Sequence, residues 1–154
     1  MKPMPSVTAF ALKVAAIVGM TCNHIANVFG SELPGGAMVA LYSLGGLTSP
    51  IMAYLLCEGY RHTSSVRRYA ERLAVFAVVS QIPYSLLFGA TGNVLITLLI
   101  GLGMLWLVDH QRQNLALCAL GLLGGLAVSS FCDWGIIGPL MILLFWHFHD
   151  RPRG

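Results

Sequence analysis

Six apolar stretches, parted by short segments that carry nearly all of the charge, decide what this chain can become. They cover residues 7–29, 36–57, about 70–88, 94–108, 115–132 and 134–148. A membrane span needs about 20 apolar residues, a length the first two meet outright. The third, fourth and sixth meet it only if Arg72, Asn93, Asp109, Asp133 and His149 serve as interfacial flanks. Hydrophobic residues make up 56% of the 154 and charged residues 10%, where a soluble domain carries about 25% charged residues. Bilayer is therefore the expected solvent. Nine basic residues and a net charge of +3 cannot build a basic face for nucleic acid in this background. The expected fold is all-α: a multi-pass transmembrane helix bundle of about six spans, forming one integral membrane domain over residues 1–154.

The placement of lysine and arginine gives an independent test of that count. With the N-terminus cytoplasmic, the inner segments hold Lys2, then Arg61, Arg67, Arg68 and Arg72, then Arg112, and last Arg151 and Arg153. The outer segments hold Glu32 and Asp133 and no basic residue. Only Lys13, inside the first stretch, departs from the positive-inside pattern, and an odd number of spans would break it. Both termini are thus expected in the cytoplasm. Lys2 precedes the first apolar run as in a signal peptide, but no small-x-small cleavage site follows, so the run reads as a retained first span. The four cysteines share no ligand spacing, and His147 and His149, at i and i+2 on a helix, point to different faces, so no metal is expected.

Polar side chains inside apolar spans cost several kcal/mol and are functional candidates. The first span carries Lys13, Asn23, His24 and Asn27. Eleven helical steps bring Lys13 and His24 to within about 20° of each other and about 16 Å apart along the axis. Met20 and Asn27 fall on the same face. Lys13 can also be read as snorkelling to lipid phosphate, and His24 as an interhelical hydrogen-bonding residue. In the second span, Pro50 predicts a kink, and Tyr54, Glu58 and His62 follow at i,i+4. Glu58 pairs either with Lys13 or with a neighbouring arginine. The loop expected over residues 61–72 gathers four arginines, suited to holding phosphate or simply to setting topology. Gln81 with Pro83, Asn93 with Thr97, and Asp133-Trp134-Gly135 are the remaining polar features. Asp133 reads either as a partner that orients His24 or as a solvated loop residue.

Leu12-Lys13…Met20-Thr21-Cys22-Asn23-His24, Cys57-Glu58-Gly59-Tyr60-Arg61-His62-Thr63 and Tyr69…Arg72-Leu73 together resemble the TraX family of bacterial inner-membrane proteins, which includes the acetylase of conjugative pilin. Pro50, Ser80-Gln81-Ile82-Pro83-Tyr84, Gly92-Asn93-Val94 with Thr97 and Gly101, and Asp133-Trp134-Gly135 extend the similarity in order along the chain. The basic-x10-His spacing of Lys13 and His24 is similar to an Arg-x10-His pattern in membrane acyltransferases of surface polysaccharides, whose histidine is the proposed base and whose donor is acetyl-CoA. Three positions depart from the TraX pattern: Asn23 and Gln81 replace carboxylates, and Gly46 replaces an arginine.

The resemblance implies an inner-membrane acetyl transferase with acetyl-CoA as donor and a pilin subunit as partner. His24 would be its general base, assisted by Asn23, Lys13 and Glu58. Arg61, Arg67, Arg68 and Arg72 would hold the CoA phosphates, and Asn27, Gln81, Asn93 and Asp133 would bind the acceptor or the developing oxyanion. Head-to-tail closure of pilin, or a non-catalytic role in binding and assembling pilin, are the alternatives. A small-solute carrier is disfavoured because no inverted repeat is evident.

Overall fold

The computed structural model describes residues 8–111 and 113–149. Val7, the expected start of the first span, lies outside these residues, as do Lys2, Arg112, Arg151, Arg153 and the side chain of His149. Among the described residues the chain is all-helical, with α1 (Ala9–Phe29), α2 (Gly35–Gly46), α3 (Thr48–His62), α4 (Val66–Phe88), α5 (Val94–His110), α6 (Leu115–Ser129) and α7 (Ile137–His149). Among the described residues three stretches are long and apolar enough to cross a membrane: Ala9–Phe29, the α2–α3 run Gly35–His62, and Val66–Phe88. The last three helices are apolar but shorter. The chain divides into two compact units, residues 1–55 and 56–154, with the division inside α3.

In the first unit, Thr8 caps α1 by accepting a hydrogen bond from the Ala11 amide at 3.2 Å. The side of α1 turned toward α2 is made of small residues, with Ala16, Gly19 and Ala26 buried. Small residues let two helix backbones approach where apolar burial gives no drive for association. The helices approach closely at Gly45, where a Cβ would sit 2.7 Å from the Asn23 Cβ. One residue, Leu47, separates α2 from α3. Pro50, three residues on, has no amide to give the Gly46 carbonyl, so one helical hydrogen bond is missing at this junction. The helix restarts with Ile51 donating to the Leu47 carbonyl at 3.3 Å, and Thr48 turns its hydroxyl to the Ala16 carbonyl at 3.4 Å.

In the second unit, α5 is the hub, packed by α4, α6 and α7. Its Thr97, Leu98, Leu102 and Leu105 are buried, and Ile142 of α7 packs with them. A helix apolar on all sides belongs in such a core. Cys57 and Tyr60 of α3 also belong here: Cys57 Sγ donates to the Ile142 carbonyl at 3.3 Å, and the Tyr60 ring stands edge-on to Trp146 at 5.3 Å. The outer face of α4 exposes Val75, Phe76, Val79, Ile82 and Leu86, a surface suited to acyl chains rather than water.

One sequence expectation changes. Residues 61–72 are not a loop: α3 continues to His62 and α4 starts at Val66, with Ser65 as its N-cap accepting from the Arg68 amide at 3.3 Å. Charge marked the end of the apolar span, not the end of the helix, because arginine and glutamate are good helix formers. Pro83 sits inside α4 without ending it, as the extent of the third stretch implies.

Gly45→Ala should lower the unfolding temperature in detergent, since overpacking such a seam costs about 1–3 kcal/mol. Gly46→Ala, where an added Cβ meets nothing within 4 Å, should leave the transition unchanged or raise it slightly; equal losses at both positions would contradict the seam.

Candidate functional site

α1 is unbroken from Ala9 to Phe29, so the helical spacing of Lys13, Met20, His24 and Asn27 holds. His24 and Met20 are half-buried, while Lys13 and Asn27 are exposed. The imidazole lies one residue, about 100°, around the helix from Asn23. It therefore flanks the α1–α2 seam instead of filling it. Asn23 does fill it, lying against Gly45. Asn27 donates to the Asn23 carbonyl at 2.9 Å and to its Oδ1 at 2.7 Å, and accepts from the Tyr42 hydroxyl at 3.2 Å. Asn23 and Asn27 are thus brought together, with Tyr42 as a third member that sequence reasoning missed. The i,i+4 spacing of the two asparagines was the available signal; Tyr42 sits on another helix and gave none.

In the second unit, the turn between α3 and α4 is surrounded by arginine. Arg61 is in the last turn of α3, and Arg67, Arg68 and Arg72 lie along the first two turns of α4, all four exposed. Arg67 Nε is tied to Glu71 at 2.8 Å, so its guanidinium is already engaged in part. Arg68 and Arg72, at i and i+4, share one face of α4. Glu58 pairs with His62 at 3.4 Å along α3. The Tyr60 hydroxyl donates to Asp109 Oδ2 at 2.9 Å, a link between α3 and α5 that no local pattern announces.

At the other end of α4, Gln81, Asn93 and Asp133 converge. Asn93, 3% exposed, caps α5 by accepting from the amides of Leu95 and Ile96 at 2.9 and 3.2 Å. Its Nδ2 donates to the Ala77 carbonyl at 2.8 Å. Gln81 Oε1 accepts from the Asn93 amide at 2.9 Å, while its Nε2 donates to Ser85 Oγ at 2.9 Å and to the Thr91 carbonyl at 2.8 Å. Gly92 then meets the turn between α6 and α7: its amide donates to the Phe131 carbonyl at 3.1 Å, and its carbonyl accepts from the Asp133 amide at 2.7 Å. A Cβ there would lie 2.7 Å from Cys132 Sγ, so any larger residue would force that side chain to shift. The buried Thr97 hydroxyl donates to the Asp133 carbonyl. The side-chain amides of Gln81 and Asn93 thus tie the end of α4 to the start of α5.

A family profile described as "TraX protein" matches residues 9–154. The chain belongs to the TraX family. It is 33% identical over 160 residues to the "probable fimbrial assembly protein FimC, serogroup H1" of Dichelobacter nodosus. That match covers 95% of this chain and 64% of the relative, so the chain spans less than two thirds of that protein's length. No solved structure matches it. Within this TraX-family chain, one departure from the expected motif pattern has a local reason. An ionised carboxylate at position 81 could not donate to the Thr91 carbonyl, whereas Gln81 does. At position 23 nothing in the structure explains the amide, since Asn23 only accepts from Asn27.

Asn93→Ala should lose both the α5 cap and the tie to α4, destabilising by about 2–4 kcal/mol from one cap and one buried hydrogen bond. Asn93→Asp keeps the cap and should lose less. Chemical unfolding in detergent checks the order; equal losses would contradict it.

Proposed function

We propose that this TraX-family chain is an inner-membrane acyltransferase that moves an acetyl group from acetyl-CoA to the N-terminal amine of a pilin-type subunit. The arginine-rich end would face the cytoplasm, and both termini with it. Family membership supports the membrane and maturation context, as does a relative named for fimbrial assembly. The observation that carries the chemistry is His24: an imidazole half-buried on a 21-residue apolar helix, beside rather than inside the packed seam.

The roles follow from what each group can do. The exposed guanidinium groups of Arg68 and Arg72 suit the phosphates of CoA, with Arg61 as a third donor, because planar forks grip phosphate oxygens in pairs. Arg67 contributes less, being shared with Glu71. Lys13 adds positive charge on the His24 face of α1, and Glu58 holds His62 near the arginines. Neutral His24 would accept the proton that the amine loses as its nitrogen bonds to the thioester carbonyl carbon. It would return that proton to the CoA sulfur as the carbon–sulfur bond breaks. General-base help of this kind is worth about 10²–10⁴-fold. Exclusion of water by the apolar helices would protect the thioester from hydrolysis. Asn23 would act through the helix seam, and Gln81 and Asn93 through the fold.

A second reading has a specific observation in its favour. The side-chain amides of Asn27, Gln81 and Asn93 all serve intramolecular bonds, as expected of a subunit that binds and assembles pilin without altering it. Pilin mass separates the readings: acetylation adds mass, head-to-tail closure loses water, and assembly alone changes nothing.

In a single-turnover assay with labelled acetyl-CoA, His24→Ala should transfer label at least about 100-fold more slowly than the wild type, the lower end of a general base's contribution. Equal transfer by the two proteins would remove His24 from the mechanism.

A further inference from the structure

The outward face of α4 sets two kinds of side chain in one line. Helical steps of about 100° bring Arg68, Arg72, Val75, Val79, Ile82 and Leu86 within about 40° of a common direction, and all six are exposed. Ala77, nine residues from Arg68 and so half a turn around the helix, is buried on the opposite side. The rotation of α4 is fixed at two points. The Tyr69 ring lies where a Cβ on Gly59 of α3 would crowd it, and the Ala77 carbonyl accepts from Asn93 at 2.8 Å. From Val75 to Leu86 the apolar line runs about 16 Å along the axis, close to one leaflet of a hydrocarbon core about 30 Å thick. The arginines stand just beyond its end. The first turn of α4 has no acidic residue, and Glu71 is taken by Arg67. Among the described residues no ion pair engages the guanidinium of Arg68 or Arg72.

We infer that this face binds an anionic phospholipid, with its phosphate between Arg68 and Arg72 and one acyl chain along Val75, Val79, Ile82 and Leu86. Two uncompensated guanidinium groups one turn apart call for an anion, and their planar forks suit phosphate oxygens. The apolar line that continues directly from them calls for an anion that carries a hydrocarbon chain one leaflet long. A zwitterionic headgroup brings a cation of its own, which the arginines repel. The lipid site stands apart from the proposed reaction. One consequence rests on that reading: lipid phosphate and the phosphates of CoA compete for the same two arginines, so anionic lipid regulates donor binding.

The test is native mass spectrometry of the full chain released from detergent micelles, with dioleoyl phosphatidylglycerol or dioleoyl phosphatidylcholine as the probe. The wild type should hold the first phosphatidylglycerol about tenfold more tightly than phosphatidylcholine, as two arginines near one anionic phosphate allow. Arg68→Gln with Arg72→Gln should bring the ratio near one, with the unfolding temperature showing that the protein is folded. Arg67→Gln removes the same charge as Arg68→Gln, but from a guanidinium already paired, and should keep most of the preference. Equal losses in those two single variants would mean diffuse attraction and overturn the site. Equal binding of the two lipids by the wild type overturns it without any variant. Glycerol phosphate at the same concentration should leave the bound lipid in place; displacement would reassign the arginines to free phosphate and overturn the lipid assignment. Acetyl-CoA in the same spectra should exclude phosphatidylglycerol, and a species carrying both at the level of independent sites would overturn the competition. If the lipid preference holds and acetyl-CoA does not bind, the lipid site stands and the proposed donor falls. If acetyl-CoA binding needs Arg68 and Arg72 while the two lipids bind alike, the reverse is true.

Discussion

A polar group in an apolar solvent must find its partner inside the protein, and that constraint shapes every part of this chain. Water is not available to satisfy a stray amide or carbonyl in hydrocarbon. Among the described residues, no buried side-chain nitrogen or oxygen lacks a hydrogen-bond partner. In the first unit, Asn23, Asn27 and Tyr42 satisfy one another along the seam, where small residues bring α1 and α2 together. In the second, Gln81 and Asn93 close one end of α4 and α5, and Tyr60 with Asp109 joins α3 to α5. Helix pairing and polar satisfaction are achieved here by the same residues.

The helical architecture was legible from the sequence because it depends on local signals. Apolar runs bounded by charge located the helices, and Pro50 located the break at Leu47. The arginines around Ser65 point to a loop when charge is read as chain leaving regular structure, although Ser65 caps α4. An interfacial helix can carry those charges outward, and Arg67 and Glu71 even support it at i,i+4. Pro83 lies inside α4, since a helix under tertiary support tolerates a missing amide.

The candidate site was only half legible. Lys13 and His24 share a helix, so their alignment followed from spacing alone. The cluster of Gln81, Asn93, Thr97 and Asp133 joins residues far apart in the chain, and no periodicity relates them. Sequence reasoning could see polar residues in the wrong solvent but not which were spoken for. Gln81 shows the difference: read alone it is a carboxylate that lost its charge, while in place it is an amide whose donors and acceptor are all used. Arg68 and Arg72 on α4, by contrast, are exposed at the end of the helix.

The central claim is that His24 occupies a protein-lined, ligand-accessible position in the membrane rather than a lipid-facing one. Maleimide labelling of single cysteines, in a background without the four native ones, tests this most directly. A cysteine at position 24 should label and should be slowed by acetyl-CoA, while cysteines at Val18 and Ile25, both exposed apolar positions elsewhere on α1, should resist reagent in the bilayer. Position 24 resisting label as those two do, with no response to acetyl-CoA, would contradict the account.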